Sequence, residues 1–288
     1  MSGNTRPMTH FATTLKAAAI ALVALAATPA FAQDAHSTPK PHKEHWSFGG
    51  PLGHFDRAQL QRGFKVYREV CASCHAMSLV SFRNLAEEGG PGFSDGQVAL
   101  LAGEYKVQDG PGDDGQMFER PARPSDRFPS PFPNEQAARA ANGGAYPPDF
   151  SVLAKARGYE RGWPLVILDF VTQYQEHGVD YIHALLNGYD HPVPEGAHGQ
   201  PGLHYNPYFP GGWIAMPKPL SDGQVEYTDG TPTTVDQYSR DVSAFMMWAA
   251  EPHLEARKRI GFVAFMFLAV FAGLLYFTKK RVWSDVAH

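Results

Sequence analysis

The longest uninterrupted apolar stretch, Ile260 to Phe277, contains no charged residue and stands between Arg257-Lys258-Arg259 and Lys279-Lys280-Arg281. As a helix its eighteen residues rise by about 1.5 Å each, roughly 27 Å in all, which matches the hydrocarbon thickness of a bilayer. A second apolar run, Ala17 to Ala27, follows Arg6 and Lys16 and precedes Ala30-Phe31-Ala32. It is too short to span, and its flanks have the form of a secretory signal with a small-residue cleavage site.

Between these runs the pattern is helical in places only. From Asp56 onward Leu60, Phe64, Tyr67 and Cys71 recur at three- and four-residue spacing, predicting a helix that ends on the cysteines. Residues 33–55, polar and rich in His and Pro, read as an extended lead-in. Gly89 to Pro133 shows no period and reads as a long surface loop. Short helical pieces are expected over 134–141, 150–157 and 179–186, and Pro and Gly dominate again from His191 to Pro219. The last helix before the apolar span starts at Thr234-Val235-Asp236-Gln237, a capping-box pattern, and runs through Phe245 and Trp248 to about Ala250, where Pro252 breaks it.

This reading divides the chain into a signal peptide (1–32), an exported domain (33–256), a transmembrane anchor with its flanks (257–281) and a cytoplasmic tail (282–288). Three basic residues on each side of the span leave its orientation open to charge counting, so the signal decides it, placing the domain outside the cytoplasm and the C-terminus inside. The domain's length suffices for a proper core. The 28 Gly and 24 Pro of the chain are many for a helical protein and point to irregular backbone organised by something else, such as a large buried cofactor. The formal charge of −4 understates the domain's acidity: residues 33–256 hold 17 Lys plus Arg against 28 Asp plus Glu, hence −11. That balance excludes nucleic acid as a partner and suits a basic protein.

The chemistry rests on the chain's two cysteines, which stand in Cys71-Ala72-Ser73-Cys74-His75. Cys-x-x-Cys-His is the c-type haem attachment pattern: each thiol adds to one vinyl group, and the next residue can then reach the iron. A thioredoxin-like dithiol would need a βαβ context, and zinc would need more ligands than one cysteine pair supplies. For the sixth iron position methionine is the first candidate, because its thioether favours the ferrous state. Met117 and Met216 are the two in suitable places, with Met216 preferred for its aromatic, Pro/Gly-rich surroundings; His183 or His204 are alternatives.

Taken together, Arg62-Gly63-Phe64-Lys65-Val66-Tyr67 before the cysteine motif, Val107-Gln108-Asp109-Gly110-Pro111, Asn142-Gly143-Gly144-Ala145-Tyr146-Pro147-Pro148-Asp149, Asn206-Pro207-Tyr208-Phe209-Pro210 with Met216, and Trp248-Ala249-Ala250-Glu251-Pro252 resemble the cytochrome c1 family, bacterial type. These are the haem subunits of ubiquinol-cytochrome c reductase. The resemblance implies a mainly α fold: a class I cytochrome c-like haem domain with long loops, plus one C-terminal transmembrane helix. It implies one covalently bound haem c on Cys71 and Cys74, with His75 and Met216 as axial ligands. It further implies Arg157 paired with a haem propionate, and Asn142, Pro147, Pro148, Tyr181 and Phe209 around the pocket.

Its implied partners are cytochrome b and a Rieske iron-sulfur protein, the electron donor, in a multi-subunit, dimeric complex, with a soluble or tethered cytochrome c as acceptor. The implied location is the cell inner membrane, crossed once, with the haem domain on the periplasmic side. Asp109, Asp113, Asp114 and Glu119 are candidate docking charges. Residues 158–179 depart from the pattern as an insertion. Two rivals are a haem subunit of a terminal oxidase and a haem enzyme or gas sensor with an open iron site.

Overall fold

The computed structural model describes residues 38–159, 161–172 and 174–285, so the expected signal peptide lies outside the described residues. In chain order the regular elements are α1 (Arg57–Glu69), α2 (Asp95–Gly103), β1 (Lys106–Asp109), β2 (Phe118–Pro121), α3 (Glu135–Ala141), α4 (Leu153–Ala156), α5 (Leu165–Thr172), α6 (His177–Asn187), β3 (His204–Tyr205), β4 (Trp213–Ile214), α7 (Val235–Ala250) and α8 (Leu254–Val282). The architecture is mainly helical, as expected, with two antiparallel strand pairs, β1–β2 and β3–β4.

Helix α7 is the axis of the domain. Thr234 caps it, its hydroxyl accepting from Gln237 N at 3.3 Å, while the Gln237 side chain turns to Asp241 (2.8 Å) instead of returning to the cap. Almost every side of α7 is buried, from Tyr238 to Trp248, which is the condition of a helix surrounded by others. Helices α1, α4 and α6 pack around it. The closest approach is at Gly63 of α1, where a Cβ would lie 2.1 Å from the Asp241 carbonyl oxygen. One residue earlier Arg62 donates from Nε to the Asp241 carboxylate at 2.9 Å, and Gln59 adds a bond at 3.3 Å. Asp241 is fully buried, so this fork holds a charge that would otherwise be costly at the crossing.

Three expectations are corrected by packing. Helix α1 stops at Glu69, and Cys71 opens a separate 3-10 turn, Cys71–Ser73. The lead-in is a strap with Trp46, Phe48 and Phe55 in the core. Trp46 Nε1 donates to Asp180 at 2.7 Å, Glu44 N donates to the same carboxylate at 3.1 Å, and the Tyr174 hydroxyl completes the shell. The stretch 89–133 is no featureless loop: it holds α2, capped by a Ser94–Gln97 box, and the β1–β2 pair. The insertion likewise contains α5, where Asp169 pairs with Arg161 and lies 3.5 Å from Nε2 of His177, the first residue of α6.

Pro252 stands in the turn between α7 and α8. Helix α8 is long and apolar enough to cross a membrane, and its span from Ile260 to Phe277 is exposed at all but one residue, unlike a core helix.

His183 sits buried between α6 and α7, with Nε2 3.0 Å from Asp236 Oδ1. Burial holds its pKa below the ordinary 6.5, with the Asp236 charge opposing. The unfolded chain therefore binds the extra proton, so stability is complete above pH 6.5 and is lost as pH falls from there towards the folded-state value. Denaturant midpoints should drop between pH 7.5 and 5.5, and His183→Gln should flatten part of that slope; an unchanged slope would contradict the assignment.

Candidate cofactor site

The end of α1 delivers the Cys-x-x-Cys turn. Val70 N still bonds back to Val66 O at 3.0 Å, and both Cys74 N (3.1 Å) and His75 N (2.9 Å) donate to Cys71 O, which curls the segment tightly enough to set two thiols and an imidazole side by side in sequence. Cys71 and Cys74 are both half-buried and unpaired. Burial pushes the Cys71 thiol up to about 12, with Cys74 adding to the effect, so the free side chain is a neutral thiol.

His75 is buried and its orientation is fixed. Nδ1 lies 2.8 Å from the Pro148 carbonyl oxygen, an acceptor, so Nδ1 carries the proton and Nε2 is left with a lone pair. Phe150 stacks on the imidazole at 4.2 Å between centroids, and the Tyr67 hydroxyl donates to His75 O at 3.3 Å. Burial lowers the His75 pKa, keeping the ring neutral. A neutral, oriented imidazole with a free Nε2 lone pair is chemically suited to ligate a metal. Yet among the described residues no group of three or more His, Cys, Asp or Glu side chains could hold an ion.

The methionines sort themselves by burial. Met77, Met246 and Met247 are fully enclosed in the core, and Met117 is 59% exposed next to β2. Met216 is half-buried and packs against the core. Its backbone is pinned by the Tyr189 hydroxyl, which donates to Met216 O at 3.0 Å. The start of the same segment is anchored by the fully buried Asn206, whose Nδ2 donates to Leu185 O at 2.7 Å and whose N donates to Gly212 O at 2.9 Å. Gly188 makes that anchor possible, since a Cβ there would lie 2.5 Å from Asn206 Oδ1. Of the alternatives, His183 is committed to Asp236 and His204 is exposed.

Arg157 ends α4 with an exposed guanidinium that has no ion pair among the described residues. Gly178 lets α6 close onto this end, because a Cβ would lie 1.7 Å from Ala154 O and 2.4 Å from Arg157 O. Tyr181, half-buried on α6, is brought near: burial raises its pKa and the Arg157 charge opposes. Asn142 terminates α3, its Nδ2 donating to Ala138 O at 2.7 Å. Pro147 and Pro148 are half-buried, and Phe209 is half-buried within the Asn206 turn. Pocket reasoning from sequence missed the positioning groups Tyr67, Phe150, Tyr189 and Asn206. Of the candidate docking charges, Asp109 is taken up by Arg120, whose hydrogen bond lowers its pKa.

The model of the cytochrome C1 family matches residues 46–286. A protein named cytochrome b/c1 from Bradyrhizobium diazoefficiens is 62% identical over 276 residues, 93% of this chain; the chain spans 40% of that protein's length. Cytochrome c1 of Blastochloris viridis is 48% identical over 270 residues, covering 93% of this chain and 95% of the relative. A potato (Solanum tuberosum) protein named cytochrome c1-2, heme protein, mitochondrial, is 46% identical over 258 residues, 90% of this chain and 91% of the relative.

Proposed function

The chain belongs to the cytochrome c1 family, and on that premise we propose that it is the electron-carrying subunit of a quinol–cytochrome c reductase, with one haem c covalently bound. The observation that carries this reading is the His75–Pro148 bond of 2.8 Å directly after the Cys71–Cys74 turn, which leaves Nε2 free to bind iron.

Cys71 and Cys74 would hold the haem by thioether bonds, with His75 and Met216 on the iron. Arg157 would meet a propionate, a role suited to a guanidinium with no protein carboxylate beside it. Asn142, Pro147, Pro148, Tyr181 and Phe209 form the remaining wall. When bound, the haem supplies a one-electron ferric/ferrous couple. The chain's own residues set the conditions: Phe150 shields the His75 ring from water, Pro148 fixes its tautomer, and Tyr189 with Asn206 hold the Met216 segment in place.

The donor in this reading is a Rieske iron-sulfur protein and the acceptor a soluble or tethered cytochrome c, attracted by the domain's net negative charge. Cytochrome b is the membrane partner, a choice supported by the relative named cytochrome b/c1. Residues 1–32 are a signal peptide, the domain to residue 256 is periplasmic, α8 crosses the inner membrane once, and the C-terminal tail is cytoplasmic.

The test is purification of the full chain in mild detergent, with haem staining on a denaturing gel and a reduced-minus-oxidised spectrum. Haem should migrate with this chain, and a b-type cytochrome and an iron-sulfur subunit should co-purify. A chain without attached haem, or a lone cytochrome with neither companion, would overturn the proposal.

A further inference from the structure

Where α8 leaves the domain, the loops at Pro51–His54 and Glu87–Gly89 and the first turns of the helix enclose a cleft of about 640 Å³. That volume lies within the range of small-molecule sites. None of the proposed haem-binding residues lines it. Its lining includes apolar residues: Phe262 and Val263 belong to the membrane span, and Leu52 on the loop is 80% exposed. The lining also carries Glu87, Glu88, Glu255, Lys258 and Arg259.

Most of these charges are already engaged. Lys258 Nζ donates to Phe48 O at 2.5 Å, Glu255 Oε1 accepts from Phe55 N at 2.8 Å, and Glu87 Oε1 accepts from Asn84 Nδ2 at 2.8 Å. Arg259 and Glu88 have no side-chain hydrogen bond or ion pair among the described residues, although both are cleft residues. The height of Arg259 is set by the chain: it immediately precedes the uncharged span, which puts it at the edge of the hydrocarbon, where lipid phosphates lie.

Three carboxylates against two fixed cations leave the lining at −1, which disfavours an anionic headgroup. A zwitterion offers one charge to each free group. An ammonium with N–H donors can hydrogen-bond a carboxylate, and a trimethylated one cannot. We propose that this cleft binds the headgroup of an amine-bearing zwitterionic phospholipid, of the phosphatidylethanolamine class. Its phosphate pairs with Arg259, its ammonium with Glu88, and an acyl chain lies along Phe262 and Val263. The assignment rests on the reading of α8 as a membrane span.

The experiment uses the complete assembly, delipidated in mild detergent and transferred to nanodiscs of phosphatidylethanolamine, phosphatidylcholine or phosphatidylglycerol, with retained lipid counted by native mass spectrometry. Phosphatidylethanolamine should be retained over the other two, and Arg259→Gln or Glu88→Gln should each weaken its retention by at least about tenfold, the effect of one lost charge-assisted hydrogen bond, with the haem spectrum unchanged. Equal retention of the three lipids, retention indifferent to both substitutions, or a segment of another subunit cross-linked into the cleft overturns the lipid assignment. The span itself is tested separately: a chain released from membranes by alkaline carbonate would remove the premise before any lipid is counted.

Discussion

Met216→Leu is expected to leave the haem attached while lowering its reduction potential by a substantial part of the roughly 0.8 V that axial ligation spans, and to stop quinol-dependent cytochrome c reduction. A thioether is a soft ligand that stabilises ferrous iron, and leucine fills similar volume with no lone pair, so packing and ligation are separated in one substitution. The local frame should survive, because Tyr189 and Asn206 hold this segment through backbone atoms that the substitution leaves intact. Potentiometric titration of the purified complex gives the answer. Unchanged potential and turnover would remove Met216 from the iron.

Gly63→Val should destabilise the domain by about 3 kcal/mol or more, the upper end of what overpacking a closed contact costs. The obstacle is backbone, since a Cβ would lie 2.1 Å from Asp241 O and 2.7 Å from Phe245 Cβ, so α1 and α7 must separate. Separation also weakens the Arg62–Asp241 fork, leaving a buried carboxylate short of partners. Gly96→Val on α2, where a Cβ meets open space, is the control for generic glycine replacement. Denaturant unfolding of the haem-loaded protein, followed by the haem absorbance, should show a large loss for the first and a small change for the second. Equal midpoints for the two variants would show that the crossing is not tight.

The parts legible in the sequence were those whose signal is local. Helices α1, α7 and α8 announce themselves by period, cap or length, and Cys71 to His75 by the Cys-x-x-Cys-His spacing. Helix α2 escaped because only Val98, Leu101 and Ala102 are buried in it; its one clear mark was the Ser94-x-x-Gln97 cap. The β1–β2 pair is two short surface strands that need no apolar face. In α5 the run Leu165 to Leu168 is apolar at every position, a pattern that strand and helix share. Strap residues Trp46 and Phe48 were hidden by polar neighbours, and their role depends on Asp180, over 130 residues away. At the site, Pro148 was expected as a wall; its carbonyl acts on His75, and a backbone acceptor leaves no trace in residue type.

The pairing of α1 with α7 has a consequence in time. In sequence, Arg62 and Asp241 are 179 positions apart, so a growing chain presents Cys71 and Cys74 long before the helix that packs against α1 exists. Loop closure over that distance cannot begin until nearly the whole domain has been made. During this interval the two thiols sit on a segment without its tertiary partner, accessible to whatever attaches the haem. Arrival of α7 then ends the interval, so α1 completes its packing only after nearly the whole domain has been made.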